Sequence, residues 1–479
     1  MHRGVHVKFL SRKPYRLLLL PALGASIAAA TVAAPALRAA PKEPSRLNIV
    51  VIMSDDERLD GTTVMKNVQR LLVDRGVTFT DYHVTTSSCG PSRASILTGD
   101  YSHRTGVVDN YGPQGPPAFN PTSTLATWLH DAGYETGLVG KYLNGYASWG
   151  HEVTPPGWDD WVAMDSQPVE KYYNYALDDN GTVVQYGYAP TDYSTRVLTD
   201  KAVDFINGAR SPFFLYFAPV APHLPAIPAK RDRSKLQNLA PLNSPAYNQR
   251  NVGKEPWAFW HKNLMSAAAQ LYVKHVRRRQ EQSLLSLDRG VKRIVDALAE
   301  RHELRNTVIL YTSDNGFLWG EHRLGGKLWP YEESTHVPLI VRTPWTTQAT
   351  KSSKPVLNVD LAPTIAALTG VTPPVAEDGR SFLPLLQGEK IPWRGSFLVE
   401  YLGPDKLASG GPPPYIAVQS KKFLYVEYLN GWRELYDLRR DPWELDNVAE
   451  DPASQHTDSV LHALVHKLYG APATSPPQG

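Results

Sequence analysis

Cysteine is nearly absent from this sequence, since Cys89 is the only one among 479 residues. A lone cysteine excludes a disulfide within the chain, so burial of apolar groups, helped by any bound metal, must hold the fold together. An excess of charge of either sign is also absent, with 50 basic residues against 47 acidic ones. That balance predicts neither nucleic acid nor a long polyanion as a partner.

Long apolar runs are absent beyond residue 40, whereas one lies near the start of the chain. Five basic residues precede an alanine-rich apolar stretch over 17–36, which ends in the small residues Ala34-Pro35-Ala36. This order is typical of a secretory signal peptide, assigned to 1–40, and predicts a secreted or periplasmic, extracytoplasmic protein with no stable membrane span after cleavage. An uncleaved membrane anchor is the alternative, because the stretch approaches the ~20 residues that cross a bilayer.

The segment 45–386 alternates between short apolar runs and amphipathic stretches. The apolar runs are predicted to be buried strands at 47–53, 136–140, 213–217 and 307–311. The amphipathic stretches predict helices at 64–75, 125–132, 193–206 and 283–301. Strands that alternate with helices indicate an α/β fold, with a mostly parallel central sheet flanked by helices on both faces.

The pattern changes after Leu386. Short alternating segments predict strands at 396–400, 415–419, 423–428 and 434–438, followed by a helix at 460–468. This succession favours a smaller C-terminal antiparallel α+β subdomain over 387–470. A tail that contains proline and serine occupies 471–479.

The surroundings of Cys89 predict a short helix that begins close to it. Ser87 or Ser88 can cap such a helix, Pro91 suits its first turn, and Gly99 can end it. The N–H groups at a helix N-terminus attract anions, so a reactive side chain would face an anion site here. The alternatives are a small buried apolar residue, a thiol nucleophile or a redox thiol.

Acidic residues follow two of the predicted strands. Asp55 and Asp56 come directly after the first strand, and Asp314 and Asn315 come after the strand at 307–311. Carboxyl ends of parallel strands meet at one edge of a sheet, so these side chains are expected to lie together. Three carboxylates and an amide oxygen suit one Ca²⁺ ion, or less well Mg²⁺. The alternative for each pair is a turn or a helix cap.

A run of residues that begins at the cysteine matches the signature C-x-P-S-R-x-x-x-L-T-G at every fixed position: Cys89-Gly90-Pro91-Ser92-Arg93-Ala94-Ser95-Ile96-Leu97-Thr98-Gly99. The chain therefore resembles the type I, formylglycine-dependent sulfatases of the alkaline phosphatase superfamily. The resemblance implies an alkaline-phosphatase-like fold and a sulfuric ester hydrolase that acts on a sulfated small molecule or glycan. It also implies that a formylglycine-generating enzyme oxidises Cys89, and that the hydrate of the resulting aldehyde is the nucleophile.

The resemblance extends to the rest of the expected site. The implied metal ligands are Asp55, Asp56, Cys89 (as formylglycine), Asp314 and Asn315. Arg93 would hold the hydrate, Lys141 and Lys327 would bind sulfate, and His223 would protonate the departing alcohol, while Asp314 is a candidate base. Taken singly, the cations could equally be solvated surface groups and the histidine a structural loop residue.

One segment departs from the family pattern. Many sulfatases carry Gly-Lys-Trp-His around the first lysine, whereas this chain has Gly140-Lys141-Tyr142-Leu143-Asn144, which makes Asn144 a candidate substitute for the histidine. This variant resembles the N-acetylglucosamine-6-sulfatase branch, and the run that ends at Lys327 resembles arylsulfatase-type members.

The expected substrate is therefore a carbohydrate 6-O-sulfate or an aryl sulfate. The alternatives are a phosphonate or phosphate ester hydrolase of the same superfamily, and a non-catalytic, calcium-dependent carbohydrate-binding relic. A group of aromatic residues is expected to form either a sugar-stacking surface or part of the core: Trp149, Trp158, Trp161, Tyr172, Tyr173 and Tyr175. The sequence carries no signal for the oligomeric state.

Overall fold

A ten-stranded sheet forms the centre of the protein in a computed structural model that describes residues 46–145, 153–166, 168–258 and 263–470. The predicted signal peptide, the tail and Trp149 lie outside the described residues. The strands are β1 (Asn48–Ser54), β2 (Val77–Phe79), β3 (Tyr82–His83), β4 (Glu135–Gly140), β5 (Asp160–Met164), β6 (Tyr175–Asp179), β7 (Thr182–Tyr186), β8 (Phe213–Ala218), β9 (Thr307–Ser313), β10 (Leu318–Trp319), β11 (Gly325–Gly326), β12 (Leu339–Arg342), β13 (Thr350–Ser352), β14 (Val356–Leu357), β15 (Ser396–Tyr401), β16 (Tyr415–Ser420), β17 (Phe423–Tyr428) and β18 (Arg433–Asp437).

Helices connect most of these strands. They are α1 (Lys66–Leu71), α2 (Cys89–Thr98), α3 (Ser102–Thr105), α4 (Leu125–Asp131), α5 (Ser194–Gly208), α6 (Ala267–Glu300), α7 (Glu332–Thr335), α8 (Leu361–Thr369), α9 (Leu383–Leu386) and α10 (Gln455–Tyr469). None of the helices in the described ranges is long and apolar enough to cross a membrane.

The strand order in the large sheet is β13-β2-β12-β9-β1-β8-β4-β5-β6-β7. The five strands from β9 to β5 run parallel, and antiparallel strands adjoin them on both sides. The four strands predicted from apolar runs are β1, β4, β8 and β9, which lie side by side in the middle. Strands that are covered on both faces must be apolar throughout, which is why these four were recognisable.

Helices cover both faces of this sheet, as the alternating pattern predicted. One face packs against α5 and α6 through a set of apolar side chains that includes Ile52, Phe217, Leu287, Val291 and Ile294. The opposite face packs against α2, α4 and α8 through a second set that includes Val51, Tyr216, Ile96, Leu129 and Ile365. The two layers hold the strand ends in place, so the polar residues that follow the strands have fixed positions.

The C-terminal part forms the smaller antiparallel sheet that was predicted, in the order β15-β16-β17-β18. Helix α10 packs on one face through Leu461 and Val465. The opposite face packs against Trp257, Trp329 and Tyr331, which precede it in the chain. The α/β fold class with an antiparallel C-terminal sheet is confirmed, whereas the domain boundary between 386 and 387 stays a prediction.

One expectation about a helix was wrong, and one alternative that the sequence left open is decided. Helix α6 begins at Ala267 and not near 283. Leu271 and Tyr272 in its first turns are exposed and the residues at 277–282 are polar, so no continuous apolar stripe marks this part of the helix. Most of the aromatic group belongs to the core and not to a sugar-stacking surface, since Trp158, Trp161, Tyr172 and Tyr175 are at most 8% exposed.

Candidate active site

The residues that follow β1 and β9 form the floor of the candidate site. The two strands are in parallel register, with Ser54 opposite Ser313, so the next residues of each strand come together. The backbone N–H of Asp56 donates to Asp314 Oδ1 at 3.1 Å, and Asn315 Nδ2 donates to Asp56 Oδ1 at 2.6 Å. Asp55, Asp56, Asp314 and Asn315 are all buried. The structure thus brings both predicted acidic pairs to one place.

Cys89 is the first residue of α2, and its side chain points at this floor. The Sγ atom lies 3.4 Å from Asp55 Oδ1 and 3.9 Å from Asp56 Oδ1. The family resemblance predicts that an oxygen of a formylglycine hydrate takes the place of this sulfur. Burial raises the pKa of the Cys89 thiol well above its usual value, although Lys141 and Lys327 act to lower it. A thiolate nucleophile is therefore disfavoured at this position.

The start of α2 is capped in a way that the sequence did not reveal. Ser88 occupies the N-cap position, but its side chain accepts no capping hydrogen bond. Asn110 takes over this function, because its Oδ1 accepts the Gly90 N–H at 2.7 Å and the Ser88 hydroxyl at 3.3 Å. The end of the helix is as predicted, with Gly99 in the left-handed region at φ 82°.

Arg93 lies one helical turn after Cys89 and is completely buried. Its Nε donates to Asp314 Oδ2 at 2.8 Å, and one terminal nitrogen donates to the Lys141 carbonyl at 2.7 Å. The other terminal nitrogen is 3.7 Å from Asp55 Oδ2 and makes no hydrogen bond to any described residue. A buried donor without an acceptor is costly, so this N–H is available for an oxygen of the nucleophile or substrate.

Lys141 follows β4, and its ammonium group reaches Asp55. The Nζ–Oδ2 distance is 2.7 Å, and both side chains are fully buried. Burial alone would raise the pKa of Asp55, but Lys141, His223 and Arg93 hold it well below its usual range. Gly140 allows this approach of the strand ends, because a Cβ atom there would lie 2.2 Å from the Ala218 oxygen and the residue has φ +126°.

Lys327 places a positive charge among the candidate metal ligands. Its Nζ contacts Asp56 Oδ1, lies 2.6 Å from Cys89 Sγ and lies 3.4 Å from Asn315 Oδ1. In this arrangement the ammonium group occupies the kind of position that a metal cation would take. The contact shows that these ligand atoms converge closely enough to surround a cation.

The carboxylate and amide oxygens of the cluster suit a hard divalent ion. Ligand atoms of Asp55, Asp56, Cys89 and His223 all lie within 4.8 Å of one another. Asp314 is not in that group. Its two carboxylate oxygens accept hydrogen bonds from Arg93 and from the backbone N–H of Asp56, so it lies next to the group. Carboxylate and amide oxygens are preferred by Ca²⁺ and, with stricter geometry, by Mg²⁺.

His223 stands at the more open side of this cluster, where its side chain is 20% exposed. Its Nδ1 donates to the Leu224 carbonyl at 2.6 Å, so Nε2 is the nitrogen that faces the site, 3.5 Å from Asp56 Oδ2. The Tyr172 hydroxyl donates to the His223 carbonyl at 2.7 Å and anchors the turn. A histidine held in this way offers a proton at Nε2 in its imidazolium form and accepts one there in its neutral form.

Two buried residues complete the site in ways that the sequence analysis did not predict. Glu170 is not among the predicted site residues, yet its Oε1 lies 3.0 Å from Lys141 Nζ. Asn144, the suggested substitute for a family histidine, donates to the same Oε1 at 3.0 Å and does not bond to Cys89. Glu170 lies 29 positions after Lys141, in an irregular segment without a motif, so only its contacts identify it.

All nine predicted site residues lie in one connected cluster: Asp55, Asp56, Cys89, Arg93, Lys141, His223, Asp314, Asn315 and Lys327. Cations, carboxylates and a residue at a helix N-terminus surround one buried point, which suits the binding of an anion close to a metal ion.

Comparison with known protein families gives two matches. The family described as "Sulfatase" matches residues 47–371. A second family, described as "N-sulphoglucosamine sulphohydrolase, C-terminal", matches residues 320–470. Together they span nearly all described residues, including the whole cluster.

Individual relatives agree with these families. The human N-acetylglucosamine-6-sulfatase is 35% identical over 451 residues, which cover 85% of this chain and 81% of that protein. A protein solved in complex with its substrate D-glucosamine-2-N,6-O-disulfate is 25% identical with a TM-score of 0.74, covering 90% of this chain and 100% of the other. A phosphonate monoester hydrolase of Agrobacterium radiobacter is 22% identical with a TM-score of 0.72, covering 89% and 96%, and shares the fold.

Proposed function

The chain belongs to the sulfatase family, and we propose that it hydrolyses 6-O-sulfate esters of amino-sugar glycans through a formylglycine derived from Cys89 and one bound Ca²⁺. It is a sulfuric ester hydrolase. The amino-sugar 6-sulfate is supported by the relatives named N-acetylglucosamine-6-sulfatase and by the neighbour solved with a glucosamine disulfate. Maturation requires a formylglycine-generating enzyme, and the proposed location is extracytoplasmic, after export by the signal peptide.

The proposal rests on one arrangement: Cys89 lies 3.4 Å from Asp55 and 2.6 Å from the Lys327 ammonium. A nucleophile at this position would attack next to a metal ligand and a fixed cation. A sulfate ester carries its negative charge on oxygens around sulfur, which repel an incoming oxygen nucleophile, so neighbouring positive charge is needed. Asp55, Asp56, Asp314 and Asn315 would hold Ca²⁺, which supplies further positive charge and Lewis acidity beside residue 89.

The remaining side chains have roles that follow from their contacts. Lys141 and Lys327 bind sulfate oxygens, and the unpaired N–H of Arg93 orients an oxygen of the hydrate. In the first step one hydroxyl of the hydrate would lose its proton to the Asp314 carboxylate, the candidate base, and its oxygen would attack sulfur. The bond between sulfur and the sugar oxygen breaks, and His223 Nε2 gives a proton to that oxygen as the alcohol leaves.

The second step regenerates the aldehyde. The other hydroxyl of residue 89 would lose its proton to His223 Nε2, which has given its own proton to the alcohol. Its oxygen would form the carbonyl double bond as the carbon–oxygen bond to the sulfate group breaks. Sulfate leaves with the electron pair of that bond, and water adds to the aldehyde to restore the hydrate. One difficult displacement is thereby divided into two easier steps.

A panel of esters tests the function. We expect N-acetylglucosamine 6-sulfate to be hydrolysed with the highest kcat/KM among sulfated monosaccharides that differ in the position of the sulfate group. 4-Nitrophenyl sulfate and a 4-nitrophenyl phosphonate monoester serve as reference substrates, assayed on the same preparation. A higher kcat/KM for the phosphonate would contradict the proposal and indicate a phosphonate ester hydrolase of the same superfamily. A folded protein whose residue 89 is modified, but which cleaves no ester, would favour the carbohydrate-binding relic.

Replacement of His223 by alanine is expected to have an effect that depends on the leaving group. Hydrolysis of a sugar sulfate should fall by roughly 10²–10³-fold, because an alkoxide needs a proton to leave. Hydrolysis of 4-nitrophenyl sulfate should fall far less, because nitrophenolate leaves without protonation. His130→Ala, at a half-exposed position on α4, is the control and should change neither rate. Equal losses on both substrates would contradict a role as general acid.

A further inference from the structure

We propose that Glu170 is a positioning and charge-selecting residue, which holds Lys141 for sulfate and disfavours phosphate monoesters as substrates. The inference rests on the proposed function and adds a determinant of which ester group the site accepts. Glu170 is 5% exposed and lies in an irregular segment between β5 and β6. It belongs neither to the metal ligands nor to the cations of the predicted site.

The contacts of Glu170 place it directly behind the sulfate-binding lysine. Its Oε1 lies 3.0 Å from Lys141 Nζ and 3.0 Å from Asn144 Nδ2. On its other side, the same ammonium lies 2.7 Å from Asp55 Oδ2. Lys141 is therefore held between two buried carboxylates, and Asn144 keeps Glu170 in place.

The two carboxylates have different duties in the working enzyme. Asp55 is a proposed metal ligand, and an oxygen that coordinates a cation is a weaker partner for Lys141. Glu170 is not a proposed metal ligand, so it can hold the Lys141 ammonium group throughout the reaction. An ammonium has three N–H donors, and these two contacts leave one for a sulfate oxygen. Without Glu170 the flexible lysine side chain would have to be ordered when the substrate binds.

Glu170 also changes the charge that the substrate meets. Three cations contact the cluster around Cys89, namely Arg93, Lys141 and Lys327, while Asp55, Asp56, Asp314 and Glu170 supply four carboxylates. Lys141 holds the pKa of Glu170 below its usual value even though burial would raise it. Glu170 therefore stays ionised near neutral pH.

This negative charge acts differently on the two kinds of ester. A sulfate monoester carries one negative charge, whereas a phosphate monoester carries two near neutral pH. Repulsion from a nearby buried carboxylate scales with the charge of the ligand, so it disfavours the dianion about twice as strongly. Glu170 thus favours the monoanionic sulfate ester over the dianionic phosphate ester, whichever protonation state His223 adopts.

The test compares hydrolysis of 4-nitrophenyl sulfate and 4-nitrophenyl phosphate by modified, calcium-loaded enzyme. Glu170→Gln keeps an oxygen for Lys141 but removes the charge, and it should raise the ratio of phosphatase to sulfatase kcat/KM by roughly tenfold. Asn144→Ala loosens Glu170 without removing charge, so it should raise KM for the sulfate ester and leave the ratio unchanged. Glu135→Gln, at the opposite end of β4 beside Arg210, is the matched control and should alter neither quantity.

A second readout does not depend on turnover. In a Cys89→Ala background, the affinities for phenyl sulfate and phenyl phosphate are measured by calorimetry, and Glu170→Gln should improve phosphate binding relative to sulfate binding. Glu170→Ala repeats both comparisons should the glutamine variant not fold. An unchanged ratio in folded variants overturns the proposal for Glu170 alone. Absence of sulfatase activity in the modified wild type would instead overturn the proposed function.

Discussion

Replacement of Cys89 by alanine is expected to reduce hydrolysis of every sulfate ester by roughly 10⁴-fold or more, since it removes the nucleophile while the rest of the site remains. The side chain is small and completely buried, so the variant should keep its fold, which thermal unfolding can check. Protein made without a formylglycine-generating enzyme should be equally inactive. Mass spectrometry of the peptide that contains residue 89 should then find a thiol in place of the aldehyde.

Cys89→Ser separates attack from regeneration. A serine hydroxyl can attack sulfur, but its sulfate ester has no second hydroxyl on the same carbon with which to expel sulfate. We expect at most one product molecule per enzyme molecule, followed by a stop, with the sulfate group found on residue 89 by mass spectrometry. Sustained turnover by the serine or alanine variant would contradict the formylglycine mechanism.

Removal of the metal is expected to have the second largest effect. Chelation followed by dialysis should lower kcat/KM by roughly 10³-fold, and added Ca²⁺ should restore it better than Mg²⁺ or Zn²⁺. The reason is that Asp55, Asp56 and Asp314 offer hard oxygen ligands, and their negative charge favours a divalent cation in the place that the Lys327 ammonium group now takes. The activity is measured on the modified enzyme across a calcium titration.

Stability gives an independent measure of the same site. If Ca²⁺ binds only the folded protein, a free Ca²⁺ concentration of about 100 times its Kd should raise the free energy of unfolding by about 2.7 kcal/mol. This increase is measured as a rise in Tm. Asp56→Asn should abolish most of this rise, because it removes a charged ligand from the centre of the cluster. Asp131→Asn is the control, since this side chain is 82% exposed, and it should leave the rise in Tm unchanged. A chelated enzyme with full activity and an unchanged Tm would rule out the calcium site.

The parts of the fold that were predictable are those in which local pattern and burial coincide. Strands β1, β4, β8 and β9 are apolar throughout because both of their faces are covered, and they were found within a residue or two. The outer strands β2, β5, β6, β7, β12 and β13 were not predicted, since they are only three to five residues long and most of their sequences mix polar and apolar residues. The start of α6 was missed because Leu271 and Tyr272, its first large apolar side chains, are exposed, and a polar run follows at 277–282.

The site also contains residues that could be predicted from sequence and residues that could not. Asp55, Asp56, Asp314 and Asn315 could be placed together from sequence because each pair directly follows a strand, and parallel neighbours end at the same edge. Asn110 as the cap of α2, and Glu170 as the partner of Lys141, follow from no such rule. Each comes from a segment without regular structure, where side-chain direction depends on packing.

The sequence by itself determined the α/β class, the sulfatase family and the residues expected around Cys89. These depend on short motifs and on where the apolar strands end. Only the tertiary structure decided which charges pair with which: Arg93 with Asp314, Lys141 with both Asp55 and Glu170, and Lys327 with Asp56. The physical reason is that Coulomb and hydrogen-bond partners are chosen by distance in space. Residues 29 to 271 positions apart become neighbours only when the layers around the sheet have packed.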